Sequence, residues 1–200
     1  VWVLRDDVGT DDAASLAAIL AGEPALGPGR GGRSAPGSLA DSERPPVLLD
    51  PMCDVLARAA PVTVSAGGPA YFWTGNHAET FDGEIVDVTR DNAHVLEGSM
   101  DDWLPDVGMR EVLKAVLVDG KAVSVCASVR VSPEVHEAGL ETHPGHRRQG
   151  HALAVVDAWA KAVLGMGAIP CYSTSWDNVA SQRTAARLGF EFYAADWGIG

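Results

Sequence analysis

The sequence predicts a mixed α/β (α+β) fold in which a central sheet is flanked by helices. Two observations carry this expectation. Ala115 to Val118 and Lys121 to Val131 read as the arms of a hairpin around Asp119-Gly120, a pair suited to a two-residue turn with positive φ. Beyond the hairpin the order strand, helix, strand, helix, strand runs to the end of the chain, and such alternation builds a layered domain. Two hundred residues with 46% hydrophobic side chains supply core for one domain, or for one with an elaborated N-terminal part.

The elements follow in order. Thr10 is placed to cap a helix whose first turn holds Asp11 and Asp12, whose apolar side holds Leu16, Ile19 and Leu20, and which Gly22 ends. Residues 24–46 are rich in Pro, Gly, Ser and Arg and read as a mobile loop. A second helix starts with Asp50 as cap and Pro51 in its first turn, and buries Met52, Val55, Leu56 and Ala59. Strands are expected at Val62 to Val64, Ala70 to Trp73 and Glu84 to Val88, then a short helix from Asp91 through Val95 and Leu96. In the second hairpin arm Val123, Val125, Ala127, Val129 and Val131 alternate with Ser124, Cys126, Ser128 and Arg130, which predicts one buried and one more polar face. A strand from Ala138 to Thr142 ends at His143-Pro144-Gly145. The helix after it carries Ala152, Val155, Val156, Trp159 and Val163 on one stripe. Ile169 to Thr174 is a strand, Asp177 or Asn178 caps a last helix ending at Leu188-Gly189, and Phe190 to Ala195 is a final strand.

Composition narrows the function. Twenty-seven carboxylates against 15 Lys and Arg give a formal charge of −12, which repels nucleic-acid phosphates and anionic membranes and attracts amine-bearing partners. No nucleic-acid or membrane partner is expected. Three scattered cysteines argue for a reducing compartment over a disulfide framework. With no long apolar run and no signal-peptide pattern in Val1 to Asp7, the expectation is a soluble cytoplasmic protein. Nothing in the sequence sets an oligomeric state.

One loop breaks the acidic average. His146, Arg147 and Arg148 stand together ahead of Gly150 and the helix that follows. The first N–H groups of a helix lack internal partners and carry partial positive charge, so this is an anion site in outline. Gly150 admits a phosphate close to the main chain, and Arg147 and Arg148 add forked donors. A glycine before a helix with nearby arginines also marks a plain turn.

The stretch from about Val116 to the end resembles the GNAT acetyltransferase superfamily. The resemblance rests on Glu137 to Pro144, on Arg147-Arg148-Gln149-Gly150-His151-Ala152, and on Asp177 to Ser181 with Leu188-Gly189-Phe190. It implies a mostly antiparallel central sheet with a splayed strand pair, an acetyl-CoA cosubstrate, no metal, and an amine acceptor, either small molecule or peptide. It divides the chain into residues 1–85, with N-terminal helices, loop and strands packed on the core, and 86–200, an acetyl-CoA-binding domain. The main chain of Arg147, Arg148, Gln149, Gly150, His151 and Ala152 would hold the pyrophosphate. Leu140 and Thr142, on a strand parting from the one at Ile169 to Thr174, would pair with pantetheine, and the Leu140 N–H would polarise the thioester carbonyl. Asn178 and Ser181 would approach the pantetheine arm, with helix capping an equal role for Asn178.

Proton transfer is less defined. Glu141 is the candidate base, and alternation places His143 on its side of the strand. An exposed strand carboxylate and a polar residue before a turn are the plainer readings. Many family members carry a tyrosine as acid four residues before the glycine of Leu-Gly-Phe, where this chain has Ala185. Tyr172 and Tyr193 are substitutes or simply packed rings. The expected activity is direct acetyl transfer to a primary amine in a ternary complex, and the alternative is a CoA-binding domain with weak or no catalysis. An acetyl-cysteine on Cys126 or Cys171 and a metal site at His143, His146 and His151 are weaker readings. Trp73, Trp103, Asp101 and Asp102 are placed to line an amine pocket or merely to pack and solvate.

Overall fold

The computed structural model describes residues 4, 8–23, 46–63, 65–75 and 81–200. Most of the expected loop, 24–45, lies outside the described residues. Internal contacts divide the chain into two units, residues 1–69 with 194–200, and residues 70–193.

In the first unit, α1 (Thr10–Ala21) and α2 (Leu49–Leu56) share a small core of Leu16, Met52 and Val55. Both expected caps move. The N-cap of α1 is Gly9, with Thr10 already helical. The N-cap of α2 is Leu48, with Asp50 inside the first turn. Here Glu23, just past α1, accepts the N–H groups of Val47 and Leu48, each at 2.8 Å. A carboxylate from elsewhere satisfies donors that the local sequence leaves open.

The sheet has seven strands in the order β2-β3-β4-β5-β6-β1-β7. They are β1 (Ser65–Phe72), β2 (Glu84–Asp87), β3 (Leu113–Val118), β4 (Lys121–Val131), β5 (Val135–Thr142), β6 (Ile169–Ser173) and β7 (Glu191–Ile199). Val62 and Thr63 precede β1, which runs unbroken through Gly67-Gly68-Pro69, a triplet that reads as a turn. Gly67 is there for close approach, since a Cβ would stand 2.4 Å from the Trp197 ring. The segment after β2 holds only two short 3₁₀ helices, Ala93–Val95 and Asp101–Asp106.

The hairpin forms as expected, with Asp119 at φ 49° and Gly120 at φ 76°. The expected face pattern of β4 does not hold. Ala122 to Ser128 are all buried, because both faces are covered. Strict alternation also fails at Val123, an extra residue between the pairs Val116↔Ser124 and Leu117↔Ala122. Val123 and Cys126 consequently share one cluster, while Ala122, Val125 and Ala127 share the other.

The first cluster contains α3 (His151–Gly165) and α4 (Val179–Arg187), with Val155, Trp159, Val163 and Leu188 fully buried. The second contains Val95, Leu96 and Met100 of the 3₁₀ segment, with Trp103 and Leu104 packed against it. Among the described residues no helix is long and apolar enough to cross a membrane.

Candidate cosubstrate and acceptor site

The site is built around the end of β5. Strand β5 pairs with β4 along its length, and with β6 in parallel at only three positions, Val135↔Ile169, His136↔Pro170 and Glu137↔Cys171. Past Glu137 the neighbours part, while β6 stays paired with β1 on its other edge at residues 171–173. Val129 of β4 is another extra residue, between Ser128↔Ala138 and Arg130↔Glu137. The added twist of a bulge therefore falls where β5 leaves β6.

Main-chain direction follows from one bond. His143 N–H donates to Val123 C=O at 2.9 Å. Antiparallel strands alternate, so Gly139 and Glu141 also turn their main chain toward β4. Leu140 and Thr142 turn theirs toward the gap. Arg147 Nε confirms the direction by donating to Thr142 C=O from that side, at 3.2 Å.

The loop then makes a tight cradle. Arg148 has φ 62° and Gly150 has φ 87°, so two left-handed residues bracket Gln149, whose side-chain amide donates to Gly145 C=O. The first bond of α3 runs from Ala154 N–H to Gly150 C=O, leaving the N–H groups of His151, Ala152 and Leu153 ahead of it. A Cβ on Gly150 would meet nothing within 4 Å, so the approach is open. Those donors, the helix dipole and two arginines fit a diphosphate.

His151 is the exception within the loop. Its imidazole turns inward, 8% exposed, edge-on to Phe81 at 5.9 Å, and both ring nitrogens lack a hydrogen-bond partner. Burial, and then the charge of His146, push its pKa below the usual histidine value. Its main-chain N–H belongs to the cradle and its side chain does not. His143 Nδ1 accepts the Gly145 N–H, which ties that ring to the turn. The rings of His143, His146 and His151 follow one another at 5.6 and 6.1 Å, yet among the described residues no three His, Cys, Asp or Glu side chains converge to hold a metal.

Asn178 caps α4 by accepting the Ser181 N–H at 3.1 Å. The Ser181 hydroxyl bonds Tyr172, and these bonds stay within β6 and α4. Ala185 is fully buried in the core beneath α4. Tyr172 is 2% exposed, and burial raises its pKa to about 12 despite the Ser181 bond. Tyr193 is 56% exposed. Burial also pushes the thiols of Cys126 and Cys171 up, which keeps them protonated and poorly nucleophilic.

Glu141 lies on the other face of β5, exposed, and its Oε2 accepts the indole N–H of Trp103 at 2.7 Å. These residues are 38 apart in sequence, and no local pattern links them. A cavity of about 240 Å³ lined by Glu111, His136 and Met166 opens beyond the C-terminal end of α3, away from the cradle.

A mixed sheet whose parallel pair opens in front of a glycine-headed helix is the arrangement of the GNAT fold. Residues 114–195 match the model of the GNAT acetyltransferase family, so this C-terminal part of the chain is similar to that family. Solved structures agree in fold. The chain is similar to a GNAT-family protein of Novosphingobium aromaticivorans, at TM-score 0.58 and 19% identity, over 67% of this chain and 63% of that one. It is similar to a GNAT-family acetyltransferase of Colwellia psychrerythraea, at TM-score 0.54 and 20% identity, over 68% and 56%. A GCN5-related N-acetyltransferase of Kribbella flavida matches at TM-score 0.53 and 19% identity, over 77% and 63%. The chain thus spans less than two thirds of the length of each. No curated protein sequence matches it significantly.

Proposed function

We propose that the protein transfers an acetyl group from acetyl-CoA to a primary amine, by direct attack within a ternary complex in the cytoplasm. The observation that carries this is the parting of β5 from β6 after Glu137↔Cys171, with the main chain of Leu140 and Thr142 facing the gap and the Gly150 turn at its end. Pantetheine would complete the sheet edge as an added strand does, and the diphosphate would sit on the N–H groups heading α3. The thioester carbonyl oxygen would then receive the Leu140 N–H. Attack by the amine nitrogen on the carbonyl carbon breaks the C–S bond, and the departing thiolate takes up a proton. Glu141, one residue from Leu140 and on the face opposite α3, is placed to remove a proton from the incoming ammonium. The two substrates would approach from opposite sides of one strand.

The alternative is a CoA-binding domain with little catalysis. It draws on Ala185, which offers no hydroxyl, and on Tyr172, whose hydroxyl is already engaged and whose raised pKa makes it a poor proton donor. The test is acetyl-CoA-dependent thiol release against amines, aminoglycosides and peptides, with Gly150→Glu as the blocked control. Amine-dependent release supports transfer, and binding without release supports the alternative. A wild-type chain that binds neither CoA nor acetyl-CoA sinks both.

A further inference from the structure

We infer that Trp103 is the positioning residue for Glu141 and the aromatic wall of the acceptor side, which suits an amine that arrives as an ammonium. The inference rests on the acetyltransferase reading above. Trp103 lies in the 3₁₀ helix Asp101–Asp106, and its Nε1 donates to Glu141 Oε2 at 2.7 Å. The far edge of the same ring lies over Gly139, where a Cβ would stand 3.2 Å from Trp103 Cη2. The indole therefore lies lengthwise along β5 from residue 139 to residue 141. These two positions share a face. Their partners on β4, Ala127 and Val125, belong to the cluster on the side away from α3, where Trp103 also packs.

This geometry solves a problem particular to an exposed base. A solvated glutamate samples many rotamers, and a proton acceptor is effective only when held near its target. The indole N–H occupies one oxygen, which fixes the carboxylate and leaves Oε1 for the substrate proton. The seat depends on Gly139, since any side chain there collides with Val129 Cγ1, 2.3 Å from the Cβ position, and crowds the indole. The half-buried π face beside a carboxylate attracts an ammonium, and both features weaken for a neutral acceptor. Trp103 thus selects for charge as well as orienting the base.

The experiment compares wild type, Trp103→Phe and Glu141→Gln in two readouts. Trp103→Phe keeps a ring and loses the N–H. Its kcat for an accepted amine falls about tenfold or more, while Kd for acetyl-CoA and Tm stay at wild-type values. In ¹⁵N spectra the indole resonance missing from Trp103→Phe identifies Trp103. It moves in Glu141→Gln and on adding propylamine below its pKa, but not on adding acetamide. If Glu141→Gln loses turnover and Trp103→Phe keeps it, the positioning role is overturned with the transfer reading intact. An indole resonance unmoved by Glu141→Gln overturns it even where no amine is turned over or the Phe variant misfolds. Loss of acetyl-CoA binding in wild type removes both readings together.

Discussion

The indole N–H of Trp159 on α3 donates to the hydroxyl of Ser128 on β4 across 3.0 Å, and both residues are fully buried. The same hydroxyl meets His136 Nδ1 at 2.9 Å, and His136 Nε2 faces Glu111 at 3.4 Å. The Ser128 hydroxyl accepts from the indole and keeps both its own proton and a second lone pair, so it bonds Nδ1 in either tautomer of the imidazole. One polar thread thereby pins the helix behind the cradle to the sheet.

Ser128→Ala strands two buried groups at once. The expected loss is about 1–3 kcal/mol, read from urea denaturation. Trp159→Phe on that background costs less than on wild type, and a double-mutant cycle measures the coupling. Additive losses would mean that the thread is not energetically connected.

Gly150→Ala separates backbone cost from ligand cost. The space for a Cβ is open, so the stability penalty is the left-handed backbone alone, about 1 kcal/mol at φ 87°. Acetyl-CoA affinity falls about tenfold by calorimetry, equivalent to about 1.4 kcal/mol, because the methyl stands where the diphosphate would lie. Unchanged affinity would place the anion elsewhere.

His151 predicts an acid limb in stability. Its pKa in the fold is below the unfolded value of 6.5, so the unfolded chain binds the proton first. Stability is full above pH 6.5 and declines as pH falls below it, levelling once the folded imidazole also protonates. His151→Leu flattens that part of the curve in urea melts at stepped pH. The same slope in both proteins would assign the acid sensitivity to other groups.

Tyr172→Phe discriminates between an acid and a packed ring. With its pKa near 12, Tyr172 holds its proton more tightly than a thiolate of ordinary pKa, about 8.5. The variant loses about 1 kcal/mol with the Ser181 bond, and its kcat stays within about threefold of wild type. A hundredfold fall would make Tyr172 the proton donor that Ala185 does not supply.

How much could be read in advance varied with how local the cause was. The Asp119-Gly120 hairpin, the Gly150 turn and the Asn178 cap were legible because each depends on two to four neighbouring residues. The α2 cap was not, since the acceptor Glu23 lies 24 and 25 residues from the N–H groups it receives. The face pattern of β4 misled because Val123 and Val129 look like ordinary strand valines, and only pairing with neighbours makes them surplus. At the site, the loop and the strand were identified as units, while the inward turn of His151 and the grip of Trp103 on Glu141 depend on partners from other segments.

The surplus residue Val129 gives the gap between β5 and β6 an unusual kind of determinant. A pocket lined by side chains is reshaped by exchanging them, one substitution at a time. Here the opening coincides with a count: β4 spends three residues, Ser128 to Arg130, where β5 spends two, Ala138 and Glu137. Exchange of Val129 for isoleucine or threonine leaves that count intact, whereas removing one codon re-phases every later residue of the strand. Diversity among clefts built this way would accumulate through insertions and deletions in the strand next door, in a segment that no scan of the residues lining the gap would flag.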